Sequence, residues 1–150
     1  MAPCLVLDAS VALKYFLTDE PDSQRALELL NAFLAGDVRL VAPSTIRFEV
    51  GHVLSKATRG LRPRLSADQA MACFDDFLEL PIQHKLETPA DHRQAFQMAM
   101  QFGRSYYDMT YLRLARPDCR WVTADARVLK SPPSGYPVDR IVLLTELDVA

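Results

Sequence analysis

The sequence lacks any apolar run approaching the 18 residues that a membrane-spanning helix needs, and no charged segment leads into a long apolar stretch. Neither a membrane span nor a secretion signal is expected. It also lacks an excess of one charge. The net charge of −2 argues against a generic nucleic-acid coat, though it leaves room for a local basic patch. No GxGxxG, P-loop or GxSxG occurs, which removes the common nucleotide-binding and serine-hydrolase readings. Cysteines are few: Cys4, Cys73 and Cys119 lie far apart in apolar surroundings. They read as buried thiols of a reducing compartment, not as a disulfide framework, and a cytoplasmic protein is expected. With His52, His84 and His92 they match no zinc spacing.

What is present is an ordinary globular composition, 49% hydrophobic and 24% charged with ten prolines, and 150 residues predict one domain over 1–150. The run Cys4-Leu5-Val6-Leu7 suits a strand buried on both faces. Val11, Ala12, Tyr15 and Phe16 then recur at helical spacing. Further strands are expected at 38–43, 82–87, 119–124 and 140–145. Between them come helical patterns, including one that ends at Gly36, one opened by Ser44 or Thr45, one capped by Ser66 and two that meet at Gly103. Strands alternating with helices imply an α/β fold with a mostly parallel five-stranded sheet covered on both faces.

Four carboxylates stand in unusual places. Asp8 ends the first strand, where the plain reading is a helix cap. Glu49 lies within a helix beside Phe48 and Val50, with Thr45, His52 and Lys56 as polar stripe neighbours. Asp108 sits among aromatic and apolar residues in "SYYDMTYLRLA", where its plain partner is Arg104 one turn earlier. Asp125 follows "WVTA" and is itself a possible cap. In a parallel sheet the ends of the first and fourth strands share an edge, so Asp8 and Asp125 approach each other, with the hydroxyls of Ser10 and Thr123 nearby. Carboxylates about 4 Å apart repel by roughly 4 kcal/mol at an effective dielectric of about 20. A hard cation such as Mg²⁺ or Mn²⁺ relieves that repulsion, and it activates water and steadies phosphoryl charge.

"LVLDAS", "TIRFEVGHVL", "SYYDMTYLRLA" and "WVTADARVL" occur in the order and spacing of a PIN domain, and the chain resembles the VapC type, the ribonuclease toxin of toxin–antitoxin pairs. The resemblance covers essentially the whole chain. It implies a Rossmann-like α/β/α sandwich and a Mg²⁺- or Mn²⁺-dependent endoribonuclease with Asp8, Glu49, Asp108 and Asp125 as its acidic metal site, supported by Ser10 and Thr123. It also implies a homodimer and a cognate antitoxin partner. One departure stands beside the fourth acid, Arg127, where an acidic or polar residue is common in the family. Arg47, Lys56, Arg59, Arg62 and Arg64 form a basic segment that reads either as a solvated helix end and loop or as RNA-phosphate contacts. The apolar excess of "ALELLNAFL" divides between core packing and a partner surface. Two rival readings remain: a dehalogenase-like or receiver-like phosphoryl-transfer protein, which would need DxD or a late lysine, and a degenerate PIN domain that only binds partners.

Overall fold

Five short parallel strands form the centre of the molecule: β1 (Cys4–Leu7), β2 (Arg39–Pro43), β3 (Gln83–Lys85), β4 (Cys119–Thr123) and β5 (Ile141–Leu143). The computed structural model describes residues 1–149. The strand order is β3-β2-β1-β4-β5, and every neighbouring pair is parallel. The chain thus builds outward from β1 through β2 to β3, then returns to the other side of β1 with β4. The switch point falls between β1 and β4, the place where open α/β sheets leave a crevice beyond their strand ends. Leu5, Val6 and Leu7 of β1 and Trp121, Val122 and Thr123 of β4 are all buried, as expected of central parallel strands covered on both faces.

Six helices accompany the sheet: α1 (Ala9–Ala12), α2 (Ser23–Ala35), α3 (Ile46–Lys56), α4 (Ala67–Glu79), α5 (Pro89–Phe102) and α6 (Tyr106–Leu114). α6 lies over β1, β2 and β4 and packs against α5, while α3 packs against α4 and touches α1. Ser44, between β2 and α3, is held twice. Its amide is shared between the Lys85 carbonyl at 3.1 Å and Glu87 Oε1 at 3.0 Å, and its hydroxyl donates to Glu87 Oε2. This ties the start of α3 to the end of β3 and fixes the direction in which α3 leaves the sheet. Gly103 closes α5 at φ +60, a left-handed position that suits glycine, and two residues later Ser105 opens α6 by accepting from the Asp108 amide. The expected strand boundaries hold to within a residue or two, and the two edge strands, β3 and β5, are each three residues long and start and end inside the expected 82–87 and 140–145.

The cysteine expectation requires correction. The β1–β4 register sets Cys4 directly beside Cys119, with Cα atoms 4.5 Å apart, and the structure joins them in a disulfide; only Cys73 is a free thiol. Cysteine usage therefore no longer supports a reducing compartment. Among the described residues no helix is long and apolar enough to cross a membrane. In α2, Leu29 is buried and Leu30 and Phe33 pack against the core, leaving Leu34 exposed, so most of the apolar excess there serves the core.

Candidate active site

Asp8 occupies the N-cap position of α1 but makes no capping hydrogen bond. Its Oδ2 instead accepts from Ser10 Oγ at 2.8 Å and from Thr123 Oγ1. The same two hydroxyls also accept backbone amides, Ser10 Oγ from Ala124 across the sheet at 3.0 Å and Thr123 Oγ1 from Asp125, two residues further along its own chain segment, at 3.1 Å. Two hydroxyls therefore latch the ends of β1 and β4 together and lock the Asp8 carboxylate at the switch point. Burial dominates the electrostatics of Asp8. It pushes the carboxyl up to about 6 against the opposing hydrogen bonds from Thr123 and Ser10, and the charge of Asp108 adds to the rise.

A cleft of about 500 Å³ adjoins this point, bounded by Glu49, Asp108 and Asp125 together with Arg104, Ser105, Tyr107, Arg127 and Val128. Glu49 is brought there by α3, Asp108 by the first turn of α6 and Asp125 by the residues just after β4. The structure thus gathers three of the four expected carboxylates around one cleft, with the fourth, Asp8, buried close enough to raise Glu49 by its charge. Burial and then Asp8 push the Glu49 carboxyl up to about 7; Tyr111 opposes the rise. Glu49 Oε1 and the Tyr111 hydroxyl are nonetheless both buried without a hydrogen-bond partner, so that carboxylate oxygen is left unsatisfied. Asp108 is raised as well, by burial first, with Ser105 opposing and the Asp125 charge adding. Arg104 does not pair with it. Its Nη2 donates to the Lys130 carbonyl at 2.7 Å and its guanidinium lies 5.0 Å from the Tyr136 ring centre.

Asp125 is the exception. Arg127 grips it in a two-pronged pair, Nε to Oδ1 and Nη2 to Oδ2, each at 2.9 Å, while the Arg127 amide donates to Oδ1 at 3.0 Å. These bonds hold the Asp125 carboxyl below the ordinary carboxylate range. The cap expected of Asp125 is present, and the Arg127 side chain reinforces it. Among the described residues no three carboxylate, imidazole or thiol groups already stand together as a preformed ligand set. The donors nevertheless suit a hard cation. They are oxygens, three of the carboxyls are raised by burial and by one another, and the Glu49 oxygen lacks a partner. Mg²⁺ in particular needs only one or two carboxylates beside its waters.

The basic segment does not act as one patch. Arg64 pairs with Asp19 at 2.8 Å, and Arg47 lies near enough to His84 to depress its pKa by charge, after burial. Lys56 and Arg59 border a depression with His52 and Gly60 further along α3, and Arg62 is exposed in the loop that follows. Residues not singled out beforehand also bound the site: Tyr111, Ser105 and Tyr107. Ser105 was open to detection, since a serine three residues before Asp108 has the spacing of a helix cap. Tyr111 sits inside an apolar helical stripe and gives no such signal.

Residues 5–131 match the family described as PIN domain. The chain belongs to the PIN-domain family. Comparison with curated proteins gives no match. Among solved structures, the chain resembles VapC20 of Mycobacterium tuberculosis, a sarcin–ricin-loop-cleaving toxin, at 13% identity and TM-score 0.55, over 73% of this chain and 79% of that one. It resembles VapBC2 of Rickettsia felis, solved bound to a DNA fragment from its promoter, at 14% identity and TM-score 0.61, over 93% and 98%. A toxin–antitoxin complex from Klebsiella pneumoniae is similar at 12% identity and TM-score 0.63, over 95% and 99%. At these identities the likeness is one of fold, and it agrees with the α/β plan and parallel five-stranded sheet read from the strand pattern.

Proposed function

We propose that this PIN-domain chain is a divalent-metal-dependent endoribonuclease of the VapC type, the toxin of a toxin–antitoxin pair. The observation that carries the reading is the cleft at the β1–β4 switch point, where Glu49, Asp108 and Asp125 meet beside buried Asp8 and where burial and mutual repulsion raise three of the four carboxyls. Asp8, Glu49, Asp108 and Asp125 would hold Mg²⁺ or Mn²⁺. Bound there, the cation would activate water and offset charge on the phosphoryl oxygens. Ser10 and Thr123 keep the Asp8 carboxylate oriented, and Ser105 fixes the turn that presents Asp108. A homodimer and an antitoxin partner follow from the family likeness, and the solved toxin–antitoxin complexes of similar fold support the second. Incubation of defined RNAs with purified protein and Mn²⁺ tests the activity: cleavage abolished by chelator supports it, and intact RNA under both conditions contradicts it.

The Arg127 grip on Asp125 favours a second reading, a PIN domain that binds partners without cleaving. The ribonuclease reading makes Arg127 a competitor that a divalent cation must displace. Arg127→Gln should then tighten Mn²⁺ binding about two- to fivefold, the worth of one largely exposed ion pair. Calorimetric titration of both proteins checks this. Unchanged or weaker binding in the variant would mean that Asp125 takes no part in holding the ion.

A further inference from the structure

Three shallow depressions run one into the next along the exposed face of α3. The first is the acidic cleft, to which α3 contributes Glu49. The second is bounded by Phe48, Glu49, His52 and Tyr107, and the third by His52, Lys56, Arg59 and Gly60. Glu49 and Tyr107 belong to both the first and the second, and His52 to both the second and the third. Glu49, His52 and Lys56 recur at spacings of three and four, so they form one stripe along the helix, roughly 10 Å from first to last. Arg59 lies just past the helix end. The track thus changes from anionic to aromatic to cationic. At its middle two large rings stand in solvent, Phe48 with 75% and Tyr107 with 57% of its surface exposed. A broad apolar patch would fit the flat face of a protein partner. A narrow aromatic step between a carboxylate cleft and two cations fits a single nucleic-acid strand, whose bases offer flat faces and whose phosphates need positive charge.

We propose that Phe48 and Tyr107 form a stacking platform for an unpaired base of single-stranded RNA, with Lys56 and Arg59 holding the phosphates that follow. The strand would run along α3 and bring the phosphodiester beside the stacked base to the acidic cleft. This inference rests on the ribonuclease reading and assigns the residues that would seat the strand; a duplex, which keeps its base faces buried, could not use the platform. It also divides the basic segment, assigning Lys56 and Arg59 to RNA and leaving Arg64 in its pair with Asp19.

The test measures fluorescence anisotropy of a short, labelled RNA in the presence of chelator, so that it stays intact, alone and in duplex, on wild type, Phe48→Leu and Lys56→Gln. Cleavage of ordinary RNA, Mn²⁺ affinity and oligomeric state are read in parallel. Leucine keeps an apolar side chain at an exposed position, so folding is preserved while the aromatic face is lost. Wild type should bind the single strand more tightly than the duplex. Phe48→Leu should weaken single-strand binding about tenfold, the worth of one stacked base, with Mn²⁺ affinity unchanged. Lys56→Gln should reduce the salt slope by up to about one unit. Unchanged single-strand affinity in Phe48→Leu, in a protein that still cleaves RNA, would overturn the platform and leave the ribonuclease reading standing. Phe48-dependent binding without any cleavage by wild type would keep the platform and sink the ribonuclease reading. A shift in oligomeric state with unchanged RNA affinity would assign this face to a protein partner and overturn the proposal, and so would equal loss of single-strand and duplex binding.

Discussion

Asp108→Asn is expected to lower RNA cleavage about a hundredfold or more while leaving the metal-free protein at least as stable as wild type. A cation site supplies several kcal/mol of transition-state stabilisation, and each 1.4 kcal/mol is about a factor of ten in rate. The substitution keeps the local frame. Ser105 caps α6 through the Asp108 backbone amide, which asparagine retains, and Arg104 is engaged elsewhere by the Lys130 carbonyl and the Tyr136 ring. What disappears is one negative charge that burial and the neighbouring Asp125 charge already disfavour, and whose repulsion adds to the rise of Asp8. Relief of one such pair stabilises by about 1 kcal/mol or more, the value for charges about 4 Å apart in water being the lower limit. Mn²⁺ should then raise the melting temperature of wild type more than that of the variant, because a ligand stabilises in proportion to its affinity for the folded state. Melting curves with and without Mn²⁺, set beside cleavage rates, check the whole pattern. A variant that melts earlier without metal yet cleaves normally would return Asp108 to a structural role.

Asp8 sets the second large effect, on the pH dependence of stability. Its carboxyl is pushed up to about 6 in the folded protein, so between its unfolded value near 4 and that point the folded state holds a proton that the unfolded state has released. Stability from this group is therefore present at low pH and falls as pH rises through the folded value, the reverse of a carboxylate in a salt bridge. Above about pH 7 the loss amounts to roughly 3 kcal/mol. Glu49, pushed up to about 7, slopes in the same direction, while His84, depressed by burial and by Arg47, slopes the opposite way. Asp8→Asn isolates the Asp8 share. In denaturant titrations of metal-free protein the variant should gain on wild type as pH rises from about 4 to about 7, and the gap should close again when saturating Mn²⁺ is added to wild type. A difference between the two proteins that stays constant across that range would mean that Asp8 is already ionised at low pH, held by Ser10 and Thr123 against its burial.

The parts of this architecture that were legible in the sequence are those whose physics is local. Leu5, Val6 and Leu7 form an uninterrupted apolar run because a central parallel strand is covered on both faces, and Asp8 marks where that run stops. Ser66 and Gly103 announce helix ends through capping chemistry that spans only a few residues. The ordered set of four acids was visible for the same reason, each sitting against an apolar pattern it does not suit. Pairings across the sheet were not legible. The Cys4–Cys119 disulfide joins residues 115 apart and follows from a strand register that no spacing reveals. Arg64 finds Asp19, 45 residues away, and so leaves the basic segment to which sequence proximity assigned it. Arg127 stood out as a departure, but the direction of its side chain, turned back on Asp125, is a matter of rotamer and not of pattern. Edge strands β3 and β5 pair on one side only and are three residues long, too short for their patterns to fix their ends.

Anomalous diffraction from crystals grown with Mn²⁺ tests the central claim most directly, because manganese can be located without any assumption about activity. A peak is expected in the cleft at the β1–β4 switch point, ligated by carboxylate oxygens from the set Asp8, Glu49, Asp108 and Asp125, with the Arg127 guanidinium swung away from Asp125. A cleft without a peak at saturating Mn²⁺, with Arg127 still gripping Asp125, would contradict the claim.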